Sequence, residues 1–481
     1  MHSLTMAALA VLAIVPAQAQ QRTGLAAAAD AMGATSLNSI QYTGSGVMFG
    51  FGQAYEPGGR WPRFVQNSWT AAINYQAPAM RLVTSRSQGE APPRGGATQP
   101  IAGEQRANVA VSGRYAWVQG GPQATPTPAA VQDRLVQLWA TPHGVIKAAM
   151  ANAGSLDGST VTFNLDRREI KATLNAQNLV EKVRYLSTDS VIGDYPVEIT
   201  YSDYADFGGV KFPRHIVQTD DGYPTLDISV SEVKPNAPVS IDVPANVQIA
   251  AGAPPAPPKI GVDKLGEGIW YLTTPNQRSW AVELKDYAVV VEGIGNEARS
   301  LAVMDEVARL IPNKPIRYVI NTHPHYDHAG GLRTFVAKGI TVVTQENNKP
   351  FFEQVWARPR ALAPDLLAKT PRPAVFETVR DKKVISDGTR SIELYFMKDT
   401  SHNINNLLVY MPVEKLVYWG DGYNPPEGSD PRDPGRTPEQ MIDLYRVITA
   451  NNLDVKTIAP AHGFGPKPFD DLKKAIGLQP L

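Results

Sequence analysis

At 481 residues the chain is too long for one ordinary hydrophobic core, so two or three domains are expected. Lys plus Arg number 46 and Asp plus Glu number 46, giving zero formal charge and no electrostatic footprint for nucleic acid. With no cysteine, a disulfide framework is excluded and any metal must be held by nitrogen and oxygen.

Residues 1–19 read as a secretory signal. Met6 to Pro16 is a continuous apolar run, and Ala17-Gln18-Ala19 sets small residues where a signal peptidase cuts, although the start carries no Lys or Arg. No later stretch is long and apolar enough for a membrane helix, so no integral membrane segment is expected after the signal is removed. The expected location is periplasmic or secreted.

Residues 20–250 read as a β-rich accessory domain, mainly antiparallel. Ile170, Ala172 and Leu174 alternate with polar neighbours, as do Val197, Ile199 and Tyr201, and then Leu226, Ile228 and Val230. Period two over such runs predicts half-buried strands. Arg134 to Met150 predicts helix, interrupted at Thr141-Pro142. Arg86 to Gln105 and Gly120 to Ala130 read as surface loops, and His143 and His215 as ordinary structural histidines. Ala251 to Lys259 is a stiff Pro-rich linker. All the recognisable chemistry is expected after it, in a catalytic domain of residues 260–481.

There the rhythm changes. Short strands at Gly268–Leu272, Ser279–Leu284 and Ala288–Glu292 precede a helix, whose apolar stripe is read as Leu301, Met304, Val307, Ala308 and Ile311. The apolar strand Ile316–Ile320 then runs into Asn321-Thr322-His323-Pro324-His325-Tyr326-Asp327-His328-Ala329-Gly330-Gly331. Strand, helix and strand with ligand-type residues at the strand's end indicate an α/β arrangement. His402, Asp421 and His462 follow in separate segments. Of eight histidines in the chain, five fall in this set. Such a constellation can hold two divalent metal ions, the signature of a metallohydrolase.

Thr322 to Gly331, Thr400-Ser401-His402-Asn403, Tyr418-Trp419-Gly420-Asp421-Gly422 and Ala459-Pro460-Ala461-His462-Gly463 together resemble the metallo-β-lactamase fold superfamily, over about Gly261 to Gly465. The resemblance implies an αβ/βα sandwich with its site along one edge, between the two sheets. It implies that His323, His325 and His402 hold one ion, that Asp327, His328 and His462 hold a second, and that Asp421 bridges them. Imidazole and carboxylate suit two zinc ions, with manganese or iron as alternatives. A hydroxide shared by the ions is the expected nucleophile, and Asp327 is the candidate to orient it and shuttle its proton.

The absence of cysteine removes the β-lactamase subclasses that use a thiolate ligand, and Asp421 points away from the remaining dinuclear subclass. The pattern is more similar to glyoxalase-II-like, lactonase-like and alkylsulfatase-like branches. The expectation is an exported dinuclear zinc hydrolase acting on an ester, lactone or related acyl bond of a small-molecule substrate. Sulfate- or phosphate-ester hydrolysis and a cysteine-free β-lactamase are the alternatives within enzymes. Outside enzymes the alternative is a periplasmic lipid-binding protein with a structural metal domain, since Tyr204 to Pro213 is faintly similar to periplasmic lipoprotein-carrier-like domains. Two insertions are candidate specificity loops. Asn347 to Val379, with Phe351, Phe352, Trp356 and Leu362, reads either as an apolar lid or as aromatics packing the loop down, and Tyr423 to Arg436 directly follows Asp421 and Gly422.

Overall fold

The computed structural model describes residues 17–97, 99–101, 103–251, 257–423, 438–463 and 465–478. The apolar run Met6 to Pro16, most of the Pro-rich linker and nearly all of the insertion after Tyr423 lie outside the described residues.

The N-terminal half is one antiparallel sheet of thirteen strands, built as two meanders that meet at its middle. Strand Ser39–Phe49 lies at the centre, pairing with Arg63–Asn74 on one side and Tyr223–Pro235 on the other. The expected alternation is present. In Arg168–Leu174, residues 168, 170, 172 and 174 are buried, while Glu169 and Lys171 face solvent. The covered face is closed by helix Ala17–Met32 and by Val131–Trp139 and Pro142–Ala151, which break at Thr141-Pro142 as the sequence predicts. Leu25, Ala28, Met32, Val145, Ile146 and Ala149 join the sheet's Ile40, Ile73, Ile170 and Val183 in one core.

In the C-terminal half, two sheets stack face to face. The first has seven strands, antiparallel from Gly261–Gly266 to Ala288–Val291, then parallel through Ile316–Ile320, Thr341–Gln345 and Phe376–Val379. The second has six, from Lys382–Ser386 to Lys467–Pro468. Ala288–Val291 is buried at every residue because both its faces are used: Val289 and Val291 meet Leu394, Val409 and Tyr418 of the opposite sheet, whereas Ala288 and Val290 pack with Val303 and Val307 of helix Glu297–Leu310. Helices Pro438–Ala450 and Phe469–Ala475 contribute Leu444, Ile448 and Leu472 to the core outside the second sheet. The result is the αβ/βα sandwich expected.

One reading needs correction, and one pair of alternatives is decided. The inward stripe of Glu297–Leu310 runs through Arg299, Ser300, Val303 and Val307, and Ala308 is exposed. Arg299 is buried because its guanidinium bonds Ser279 Oγ at 2.9 Å and the Leu272 carbonyl at 3.1 Å, so a charged residue occupies a place that apolar periodicity assigns to its neighbours. The segment Asn347 to Val379 is packed down, the second of the two readings made of it. Phe352, Trp356 and Phe376 stack on one another, with Trp356 to Phe376 at 5.5 Å and 21°. Its loop also clamps the N-terminal sheet. Arg360 donates to the carbonyls of Asp189 (3.1 Å) and Val191 (2.7 Å), Arg358 pairs with Asp221 at 2.7 Å, and Asp194 accepts from the Ala361 amide at 2.6 Å. Among the described residues no helix is long and apolar enough to cross a membrane.

Candidate metal centre

All seven residues singled out in the sequence converge at one end of the sandwich. Strand Ile316–Ile320 delivers Asn321, whose side chain donates to the His323 carbonyl at 2.7 Å and shapes the loop. A short helix, Tyr326–Ala329, then carries Asp327 and His328. His402 follows Ser391–Met397 in a turn fixed by Thr400 Oγ1 donating to the Asn403 carbonyl (2.6 Å) and by Asn406 donating to Thr400 Oγ1 (3.0 Å). Asp421 follows Leu416–Tyr418, and His462 follows the neighbouring parallel strand Thr457–Ile458.

The donor atoms form two groups that share one carboxylate: His323, His325, His402 and Asp421, and then Asp327, His328, Asp421 and His462. Asp421 Oδ2 lies 2.9 Å from His402 Nε2, 3.5 Å from His323 Nε2 and 3.2 Å from His328 Nε2, while its Oδ1 is 3.4 Å from His462 Nε2. Asp327 Oδ2 is 3.2 Å from His462 Nε2 and 3.5 Å from His328 Nε2.

Outer partners set which nitrogen of each ring faces inward. His325 Nε2 is 2.9 Å from the Ala54 carbonyl, and His462 Nδ1 is 2.7 Å from the Asn276 carbonyl. A carbonyl only accepts, so those nitrogens carry protons, and in the neutral ring the inner nitrogen is the one that offers a lone pair. Thr322 Oγ1 donates to Glu292 Oε2, so at 3.0 Å it accepts from His323 Nδ1, leaving His323 Nε2 free of a proton. His323 Nε2 and His325 Nδ1 nevertheless face each other at 3.1 Å. Two lone pairs so close repel unless a cation lies between them. With imidazoles, two carboxylates and no thiol, the donor set fits divalent zinc, manganese or iron.

Electrostatics follow from burial and charge. Burial, aided by neighbouring imidazoles, holds His323 well below the usual histidine range, and burial holds His325 at about 3, so both rings are neutral at neutral pH and able to offer a lone pair. Burial also acts to lower His328, but Asp327 and Asp421 outweigh it and raise the ring well above its ordinary value. For Asp327 and Asp421 burial acts upward and is outweighed, chiefly by His328, so both carboxylates stay ionised well below the usual range.

Sequence reasoning missed the outer supports. Glu292, 1% exposed and at φ +76°, ends the apolar strand Ala288–Val291. It accepts from the Asn321 side chain and the Thr322 amide, both at 3.2 Å, and its Oε2 sits 3.2 Å from His328 Nδ1. A carboxylate closing a run of valines was the available signal. The other miss is larger, because the chemistry is not confined to the C-terminal half. Gln53 Nε2 donates to Asp327 Oδ1 at 2.8 Å, Ala54 supplies the carbonyl for His325, and Gln440, 3.3 Å from His402 Nδ1, donates to the Gln99 carbonyl at 3.2 Å. His143 and His215 are structural, as expected. The first is buried against Phe212 with Nε2 3.1 Å from the Met32 carbonyl, and the second pairs with Asp227 on the sheet.

Residues 272–462 match the model of the metallo-beta-lactamase superfamily. The C-terminal region therefore belongs to that superfamily, and its domain is that of a metal-dependent hydrolase. Similar solved structures include a metallo-beta-lactamase from Pontibacter korlensis, 19% identical with a TM-score of 0.35, covering 46% of this chain and 98% of that one. The DIM-1 metallo-beta-lactamase is 17% identical with a TM-score of 0.36, over 46% and 97%. The mono-zinc form of FIM-1 from Pseudomonas aeruginosa is 16% identical with a TM-score of 0.33, over 46% and 94%. No curated protein matches the chain.

Proposed function

We propose that the chain is an exported dinuclear zinc hydrolase that cleaves an ester, lactone or related acyl bond of a small molecule. One observation carries the dinuclear reading: two complete donor groups meet at a single shared carboxylate, Asp421. His323, His325, His402 and Asp421 would hold one ion, and Asp327, His328, His462 and Asp421 the other. When bound, such ions supply Lewis acidity and a water acidic enough to act at neutral pH.

The chain's own residues do the rest. The His323, His328 and His402 side chains are at most 3% exposed, so water is excluded from behind the site. Asp327, at 36%, is the more open of the two carboxylates, Asp421 being at 11%. Beside its place in the second donor group, the Asp327 carboxylate is the candidate to accept a hydrogen bond from an attacking water and so to orient it. Export rests on the apolar run Met6 to Pro16 and the small residues Ala17-Gln18-Ala19.

Elemental analysis of the purified protein should find two zinc ions per chain, and exhaustive chelation should abolish turnover of a lactone or ester. A stripped protein that kept its activity would end this reading. A panel adding sulfate esters, phosphate esters and β-lactams tests the bond, with acyl substrates expected to dominate. Mass spectrometry of the protein from fractionated cells should find an N-terminus after Ala19.

A further inference from the structure

The loop between strands Ser39–Phe49 and Arg63–Asn74 leaves the N-terminal sheet and lies against the metal-site loop. It is held there by main-chain bonds: the Tyr326 amide donates to the Gly52 carbonyl (3.1 Å), the Ile404 amide to Tyr55 (3.0 Å), and the Asn403 side chain shares the Ala54 carbonyl with His325 (3.0 Å). A second N-terminal loop locks the first, since the Gly96 amide donates to the Gln53 carbonyl at 3.0 Å and the Gly95 amide to Ser401 at 3.1 Å. Contact is close enough to require glycine twice. A Cβ on Gly52 (φ +74°) would stand 2.5 Å from the Tyr326 ring, and one on Gly96 would stand 1.9 Å from Gln53 Oε1 and 2.9 Å from the His325 ring.

Within this frame the orientation of the Gln53 amide is fixed by its partners. Its Oε1 accepts from the Ala97 amide at 2.8 Å, so Nε2 must face the other way, toward Asp327 Oδ1 at 2.8 Å. A carboxamide donor on one oxygen leaves Oδ2 as the oxygen that faces His328 and His462. We propose that Gln53 is a positioning residue for the metal centre: it sets the rotation of Asp327, so that this aspartate gives a single oxygen to the second ion, and the site is completed by the N-terminal domain. This rests on the dinuclear reading above. Partners that orient a ligand commonly change metal affinity by about 10–100-fold when they are removed.

The test uses the full chain, stripped and titrated with zinc, and in parallel with cobalt(II) followed by its visible spectrum. Gln53→Glu keeps the length of the side chain and an acceptor for the Ala97 amide but replaces the donated hydrogen bond with carboxylate against carboxylate. Gln53→Ala removes the group altogether. In both variants the first ion is expected to bind as in wild type, while the second weakens by about 10–100-fold, with an altered cobalt spectrum for that ion alone. A lactone assay should show the loss in kcat more than in KM. Should Gln53→Ala fail to fold, Gln53→Glu decides alone. If wild type takes up two ions and both variants match it in affinity and spectrum, this inference is overturned and the dinuclear reading stands. If wild type takes up no second ion, the dinuclear reading falls and carries this inference with it.

Discussion

The two donor groups share Asp421 but sit in different surroundings. His323 and His402 are at most 3% exposed, and His325 lies under Ala54 and Gly96 of the other domain. On the other side, the side chains of Asp327 and His462 keep 36% and 14% of their exposure. His328 of the second group is as buried as His323, so the openness of that group is confined to Asp327 and, to a lesser degree, His462. The N-terminal half reaches both groups, with Ala54 and Gly96 against His325 and Gln53 donating to Asp327.

That contrast can be broken or sharpened. The largest effect should come from Asp421→Asn, which weakens the one ligand common to both groups. Zinc content should fall below two per chain, and lactone turnover should drop by at least about 10³-fold, roughly 4 kcal/mol of barrier. Unclamping the cover comes next. Arg360→Ala leaves the carbonyls of Asp189 and Val191 without their donor, with an expected loss of about 2–3 kcal/mol in denaturant unfolding and, for metal-loaded protein, faster loss of metal to chelator. Glu292→Gln keeps the shape but removes the charge beside His328, and should weaken metal binding by about 10–100-fold in calorimetric titration.

The smallest effect concerns the covering domain in acid. Burial holds His143 at about 4, below its unfolded value near 6.5. The unfolded chain therefore takes up a proton first, so stability is complete above about pH 6.5 and declines as pH falls toward 4. The loss should be about 1 kcal/mol between pH 6.5 and 5.5, and His143→Gln should remove that increment from the pH profile of unfolding free energy.

How much of this could be read from the residues depends on the range of each interaction. The metal-type ligands were legible because four of them share one loop, and the others close apolar runs that must be strands. The thirteen-stranded sheet was legible as a set of alternating segments, but its strand order was not, since the pairing of Ser39–Phe49 with Tyr223–Pro235 depends on contacts nearly two hundred residues apart. Phe352, Trp356 and Phe376 could not be told from a lid, because the same aromatic surface serves for stacking inward or for closing over a site. Arg299 was hidden by its charge, and Gln53 by distance along the chain, 274 residues from Asp327. Ala54 had no signal at all.

The oxygen that Ala54 offers to His325 and Asn403 belongs to the peptide unit. Exchanging the side chain at position 54 leaves that atom where it is, whereas adding or deleting one residue between Gly50 and Pro62 would carry it away. For position 54 alone, loop length rather than residue identity is thus the quantity that must be preserved. Grafting this hydrolase half onto a foreign sheet would succeed only if the graft reproduced that length.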